Sequence, residues 1–445
     1  MHKPYFIKFL ILSLFINIAC EGGRGSGNRD EVATSGSMVP IIIEKDLPLD
    51  ATVKIYFENT LSMDGYINGN TDFKDVFREL LVAVDNEDVI DLETEFYLIN
   101  DKLIKESFGV ETTKIADALS KQSISKGNRG TSNFEDVLNT VLENQTGDVI
   151  SIVMADFIYS PGNETDTPSA LNKLKTYTKE AFLKAGIADK DIETTIYRFS
   201  SRFDGIYYNI NNSHIKGINH RPYYYFVIAP SNLMTVFEKQ ISPQLRNNKG
   251  FENEISFSPR YFENIPYQVF SATKSNGRIN TRNGIEIVDY PRQGNLEFLV
   301  ALDLTGVPLH EDYFLNKDNY HLGNDQFIIK DIGTINGKKL NFKTEGKTPI
   351  NPSDLLKIQG KDYTHVILVS AKGLVSEDLK LSLRKSIPTW VNNSSSNDDR
   401  AIKSDSLEQT KTFGFAYLIE GISNSYIQKT GSKEYFNVKI PVIKK

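Results

Sequence analysis

The stretch "DVISIVMADF", Asp148–Phe157, is apolar from Val149 to Ala155 except for Ser151, and it then meets an acid. It shows no alternation of apolar and polar positions. A strand reads this way when both of its faces are buried, as at the centre of a sheet covered by helices on either side. The neighbouring segments agree. From about Val53 to Ser242, strand-like runs ("VKIYFEN", "ETEFYLIN", "IETTIYRFSSRF", "YYYFVIAP") alternate with runs of helical spacing ("FKDVFRELLVAV", "FEDVLNTVLEN", "SALNKLKTYTKEAFLKAG"). Strands alternating with helices predict an α/β fold with a doubly wound, mostly parallel, Rossmann-like sheet.

From about Phe251 the texture changes. Short β-like runs such as "LEFLVALDLTG", "QFIIKDIG", "THVILVSAKG" and "YFNVKIPVIK" are separated by Gly, Pro, Asn and Asp. This predicts a β-rich, sandwich-like domain. "VNNSSSNDDR", Val391–Arg400, reads as a polar loop. "FGFAYLIEGISNSYI" reads as a helix that packs on one of the domains.

The N-terminus reads as a targeting segment. "MHKPYFIK" is basic, and "FLILSLFINIAC" is apolar up to Cys20. That is the pattern of a secretory signal, and the run is short for a membrane span. Cys20 is the single cysteine of the 445 residues, which excludes an internal disulfide framework. "NIAC" resembles a bacterial lipobox, with Asn17 where that motif usually has Leu. The resemblance implies cleavage before Cys20 and lipid on its sulfur. A plain signal peptide ending near a chance cysteine is the other reading. "EGGRGSGNRDEVATSGS" then reads as a flexible tether. The expected division is therefore 1–19 signal peptide, 20–47 tether, 48–245 α/β domain and 246–445 β-rich domain. A formal net charge of −6 and the lack of a long basic tract argue against nucleic acid as a partner.

Three oxygen-bearing clusters fall in the α/β part: "ENTLS" after the first strand, "GNRGTSNFEDVL" at a helix start, and "MADF" after the central strand. Ligands of open α/β sheets sit beyond the carboxyl ends of the strands, where the first and third clusters fall. The clusters contain neither Cys nor His. Carboxylates and hydroxyls suit a hard divalent cation, Mg²⁺ with Ca²⁺ or Mn²⁺ as alternatives. If the backbone stays extended, Glu58, Thr60 and Ser62 share a direction.

The order of these clusters resembles the von Willebrand factor A (vWA) domain and its metal-ion-dependent adhesion site. That family carries Asp-x-Ser-x-Ser after its first strand, a Thr in a later loop and an Asp after the central strand. Matched residue by residue, the resemblance implies a metal site of Glu58, Thr60, Ser62, Thr131 and Asp156. "SMDGY" also looks like the segment that follows the family's first motif. Glu58 stands in place of Asp and lengthens the arm. Thr60 stands in place of Ser and keeps the hydroxyl. The implied function is binding of a partner protein at the cell envelope, with the protein held at the outer membrane through lipid on Cys20. Taken singly, the same residues also read as turn formers or a helix N-cap. Two other functions stay open. The β-rich part, with its many aromatics, suits carbohydrate binding. A metal-dependent hydrolase lacks an evident general base beside the site, so the chain reads as a binding protein and not as an enzyme.

Overall fold

β1 (Asp50–Glu58), β2 (Asp91–Ile99), β3 (Leu103–Lys105), β4 (Val149–Ala155), β5 (Ile192–Arg202), β6 (His220–Pro230) and β7 (Phe251–Phe257) form one sheet in the order β3-β2-β1-β4-β6-β5-β7. In this computed structural model the described residues are 50–444, apart from 131–133, 162–165, 274, 282–284, 290–294, 337–338, 343–349, 351, 360, 373–374 and 376. The signal and tether expected before Asp50, including Cys20, therefore lie outside the described residues, and so does Thr131. Among the described residues no helix is long and apolar enough to cross a membrane.

β4 lies inside the sheet with all seven of its residues buried, as its unbroken apolar run requires. One face of the sheet is covered by α1 (Asp72–Asp85), whose Phe73, Phe77, Leu80, Leu81 and Val84 point into the core. The other face is covered by α2 (Phe134–Glu143) and α3 (Thr167–Lys184). Side-chain caps set two helix starts. The Thr71 hydroxyl accepts from Lys74 N (3.4 Å), and the Asp166 carboxylate accepts from Ser169 N (3.1 Å).

The expectation of a mostly parallel sheet is corrected. β2, β1 and β4 pair in parallel, whereas β3, β6, β5 and β7 join by antiparallel ladders, so the sheet is mixed. The reason lies in the connection between β5 and β6. Residues 203–219 hold a short hairpin, Tyr207–Tyr208 with His214–Ile215, and no crossover helix. Without such a crossover the chain returns antiparallel. β6 thereby inserts between β4 and β5.

The rest of the chain is β-rich. A five-stranded antiparallel sheet runs in the order Tyr267–Ser271, Leu296–Leu302, His365–Ala371, Phe327–Asn336, Lys339–Phe342. Its inner residues Phe298, Val300, Ile367 and Val369 share a core with Leu381 and Leu383 of Leu379–Arg384 and with Phe436 and Val438 of Glu434–Ile440. These layers pack face to face in sandwich fashion. Two elements tie this half to the first. β7, although it follows residue 245, is an edge strand of the seven-stranded sheet. α4 (Phe415–Thr430) packs against α3 so closely that a Cβ on Gly421 would lie 2.6 Å from the Lys175 carbonyl oxygen. All described residues belong to one compact unit.

Candidate functional site

Parallel pairing of β1 with β4 sets Phe57 opposite Met154, so both strands end at the same edge. Glu58 is the last residue of β1, and Asp156 follows the last residue of β4. Both are buried, at 5% and 2% exposure. The backbone does not stay extended beyond Glu58. It turns, with Met63 N donating to Thr60 O (3.3 Å) and Asp64 N to Leu61 O (3.3 Å), and enters a single helical turn, Asp64–Ile67. The turn, not strand alternation, brings the hydroxyls of Thr60 and Ser62 to 2.9 Å from each other.

Two buried side chains hold this turn against the rest of the edge. Asn59 Nδ2 donates to Lys126 O (2.7 Å), and Asn100, at the matching end of β2, donates to the same carbonyl (2.9 Å). The loop leading toward Thr131 is thus docked on β1 and β2. Arg129 closes it. Its Nε donates to Asn59 Oδ1 (3.0 Å), its Nη2 donates to Thr60 O (3.1 Å), and it forms an ion pair with Asp64. Farther along, Gly65 makes room for the Phe203 ring, since a Cβ at that position would lie 2.2 Å from it.

Asp156 is buried and, among the described residues, hydrogen-bonded on one side only. Oδ1 accepts from Ile158 N (3.2 Å), whereas the buried Oδ2 has no hydrogen-bond partner among the described residues. Burial raises the affinity of this carboxyl for a proton. The Ile158 N–H, the nearby Ser62 hydroxyl and the Arg221 guanidinium act the other way, and burial outweighs them. The next residue, Phe157, has φ of +50°, a conformation that costs a non-glycine residue about 1 kcal/mol or more. Its ring stacks on Phe226 with centroids 4.0 Å apart, a contact that offsets part of that strain.

Arg221, the second residue of β6, is buried beside the site. Only its Nη1 is bonded, to Gln409 O (2.8 Å); Nε and Nη2 are buried with no partner among the described residues. The guanidinium lies over the Tyr207 ring at 4.6 Å. The Tyr207 hydroxyl donates to Asp399 Oδ2 (2.5 Å), and Asp399 Oδ1 accepts from Ile210 N (2.9 Å).

Of the sequence-predicted ligands, Thr60 and Ser62 are brought together, Ser62 lies beside Asp156, and Glu58 ends the neighbouring strand. Among the described residues no group of three or more His, Cys, Asp or Glu side chains is placed to hold an ion, so a cation here relies on hydroxyl oxygens as well. The donor set fits a hard cation. It combines carboxylates with hydroxyls, and one buried carboxylate oxygen has no hydrogen-bond partner among the described residues. His214 and His220 are exposed, each at the first position of a strand. The sequence reading missed Arg129 and Asp399, and it took Asp64 for a turn former where the structure pairs it with Arg129. Asp64 sits in "SMDGY", two residues after the first motif, and Arg129 lies two residues before Thr131. Asp399, remote in sequence, carries no signal of its own.

Comparison with known proteins gives no match: no family model, no curated protein and no solved structure matches the chain.

Proposed function

We propose that this protein binds a partner protein at the cell envelope, as a vWA-like module does, through the rim formed where β1 and β4 end. Glu58, Thr60, Ser62 and Asp156, with Thr131, would hold a divalent cation there, Mg²⁺ before Ca²⁺ or Mn²⁺. Such an ion supplies Lewis-acid attraction for a carboxylate of the partner. The chain's own residues do the rest. Asn59, Asn100 and Arg129 hold the hydroxyl-bearing turn, and the burial around Asp156 keeps water from competing for its oxygen.

The observation that carries this reading is Asp156 Oδ2, a buried carboxylate oxygen with no hydrogen-bond partner among the described residues, set beside the Ser62 hydroxyl. Buried polar atoms are nearly always satisfied, so an orphaned carboxylate oxygen calls for an unseen partner. Lipid attachment at Cys20 belongs to the same proposal and would place the rim at a membrane surface without a spanning helix.

The test is capture from the native envelope with the intact, lipid-bearing protein. A specific protein partner retained in Mg²⁺ and lost in EDTA supports the reading. Retention that EDTA leaves unchanged, and that Ser62→Ala also leaves unchanged, refutes the role assigned to this rim.

A further inference from the structure

We infer that Asp399 is a positioning residue for the rim at the ends of β1 and β4: it holds part of the charge of Arg221 away from Asp156. The inference rests on the cation reading of that rim.

Asp399 comes from the β-rich half of the chain, yet it lies in the α/β half. The segment from Ser394 to Phe413 crosses the edge of the sheet where β5 ends and β6 begins. Arg221 Nη1 donates to Gln409 O, Arg198 Nη2 to Thr410 O (2.8 Å), and the Tyr224 hydroxyl to Thr412 Oγ1 (3.0 Å). Ile402 is wholly buried in the core beneath. This strap is therefore fixed, and Asp399 with it, at 1% exposure.

β6 pairs antiparallel with β4 so that Tyr224 opposes Ala155. Arg221, three residues before Tyr224, thus extends past the end of β4, where Asp156 sits. Side chains two apart on a strand share a face, which puts Arg221 on the side of Tyr223 and Tyr225, with Tyr66 and Tyr207. No carboxylate bonds Arg221 directly; among the described residues its one hydrogen bond goes to a backbone carbonyl. Its charge is therefore not quenched by contact and acts on both acids through a dry interior. It reaches toward Asp156 past the end of β4 on one side and, across the Tyr207 ring, toward Asp399 on the other. Charges interact strongly across such an interior because little water screens them.

The consequence has a definite sign. While Asp399 is charged, it balances Arg221. When that balance is removed, the field of Arg221 falls on Asp156 alone and opposes a cation at the rim. Tyr207 fixes the geometry, since its ring carries the guanidinium and its hydroxyl holds Asp399.

The experiment is calorimetric titration of Mg²⁺ into the full-length protein and three variants, with Tm measured for each. Asp399→Asn keeps the shape and removes the charge; affinity is expected to fall about fivefold or more, the scale of a modest coupling between sites. Asp399→Glu keeps the charge and is expected to stay within about twofold of the wild type. Asp398→Asn removes the same charge from an exposed neighbour paired with Arg400, and is expected to leave affinity unchanged. Equal losses in the Asp398→Asn and Asp399→Asn proteins would reduce the effect to overall charge and overturn the inference. A lower Tm for Asp399→Asn with unaltered affinity would make Asp399 purely structural and overturn it too. A loss in Asp399→Glu equal to that in Asp399→Asn would replace charge by fit, again against the inference. If the wild type binds no divalent cation, the cation reading of the rim falls, and this inference falls with it.

Discussion

Replacing Glu193 by Gln is expected to stabilise the protein, and to do so only above the ordinary pH range of a carboxylate. Glu193 lies on β5, opposite Ala229 of β6, with 3% of its surface exposed. Ser258 donates a hydrogen bond to its Oε1 (2.9 Å). Arg260 favours its charge but is itself held in an ion pair with Asp191. Burial wins, and the carboxyl is pushed up from 4.5 to about 7. The unfolded chain releases this proton near pH 4.5, whereas the native state keeps it until about pH 7. The native state therefore binds more protons across that window, and stability falls as pH rises through it. Each tenfold change in proton affinity is worth about 1.4 kcal/mol, so the full loss is about 3 kcal/mol by pH 8. Gln keeps the acceptor for Ser258 and cannot ionise. Chemical denaturation of both proteins between pH 4.5 and 8.5 measures the effect. The curves are expected to meet near pH 4.5 and to separate by about 2–3 kcal/mol at pH 8, the Gln protein being the more stable. Parallel curves, or a less stable Gln protein at pH 8, would refute this account of the buried carboxyl.

Three further outcomes follow from the same structure. Burial lowers His365 to about 4, so its contribution is complete above pH 6.5 and is lost as pH falls through 4; a His365→Gln protein should lack this acid-side loss of about 3 kcal/mol in denaturation titrations. Arg129→Met should cost about 2–4 kcal/mol in denaturant melts, because it leaves Asp64 and the carbonyl of Thr60 without their partner, and adding Asp64→Leu should recover part of that loss. Gly65→Ala, which drives a methyl group into the Phe203 ring, should lower stability by about 1–3 kcal/mol and shift the amide signals of the turn at residues 59–64 in NMR spectra.

The α/β alternation was legible because each strand and helix carries its own periodicity. The run Val149–Ala155 announced a strand buried on both faces, and it is one. The direction of β6 was not legible. Its apolar run is the same whether its neighbours run parallel or antiparallel, and the deciding feature is the connection 203–219, which has the length of a crossover and lacks its helix. For the rim, the residue types of "ENTLS" and "MADF" were readable, because polar groups at strand ends stand out from apolar surroundings. The turn after Glu58 was not, since it depends on Asn59 and Arg129 reaching contacts set by distant segments. Asp399 was hidden for the same reason in stronger form. "VNNSSSNDDR" reads as a polar loop in any window, and only the burial of Ile402 and the bond from Tyr207 bring it to the sheet edge.

The central claim is that oxygens from two strand ends form a cation-dependent binding rim. Titration of Mg²⁺ into the full-length wild type and into Asp156→Asn, with Tm measured for both, tests it most directly. The account predicts saturable binding at one site by the wild type, and a loss of at least about tenfold in an Asp156→Asn protein that keeps its fold. Absence of Mg²⁺, Mn²⁺ and Ca²⁺ binding by the wild type, or equal affinity in the two proteins, would contradict it.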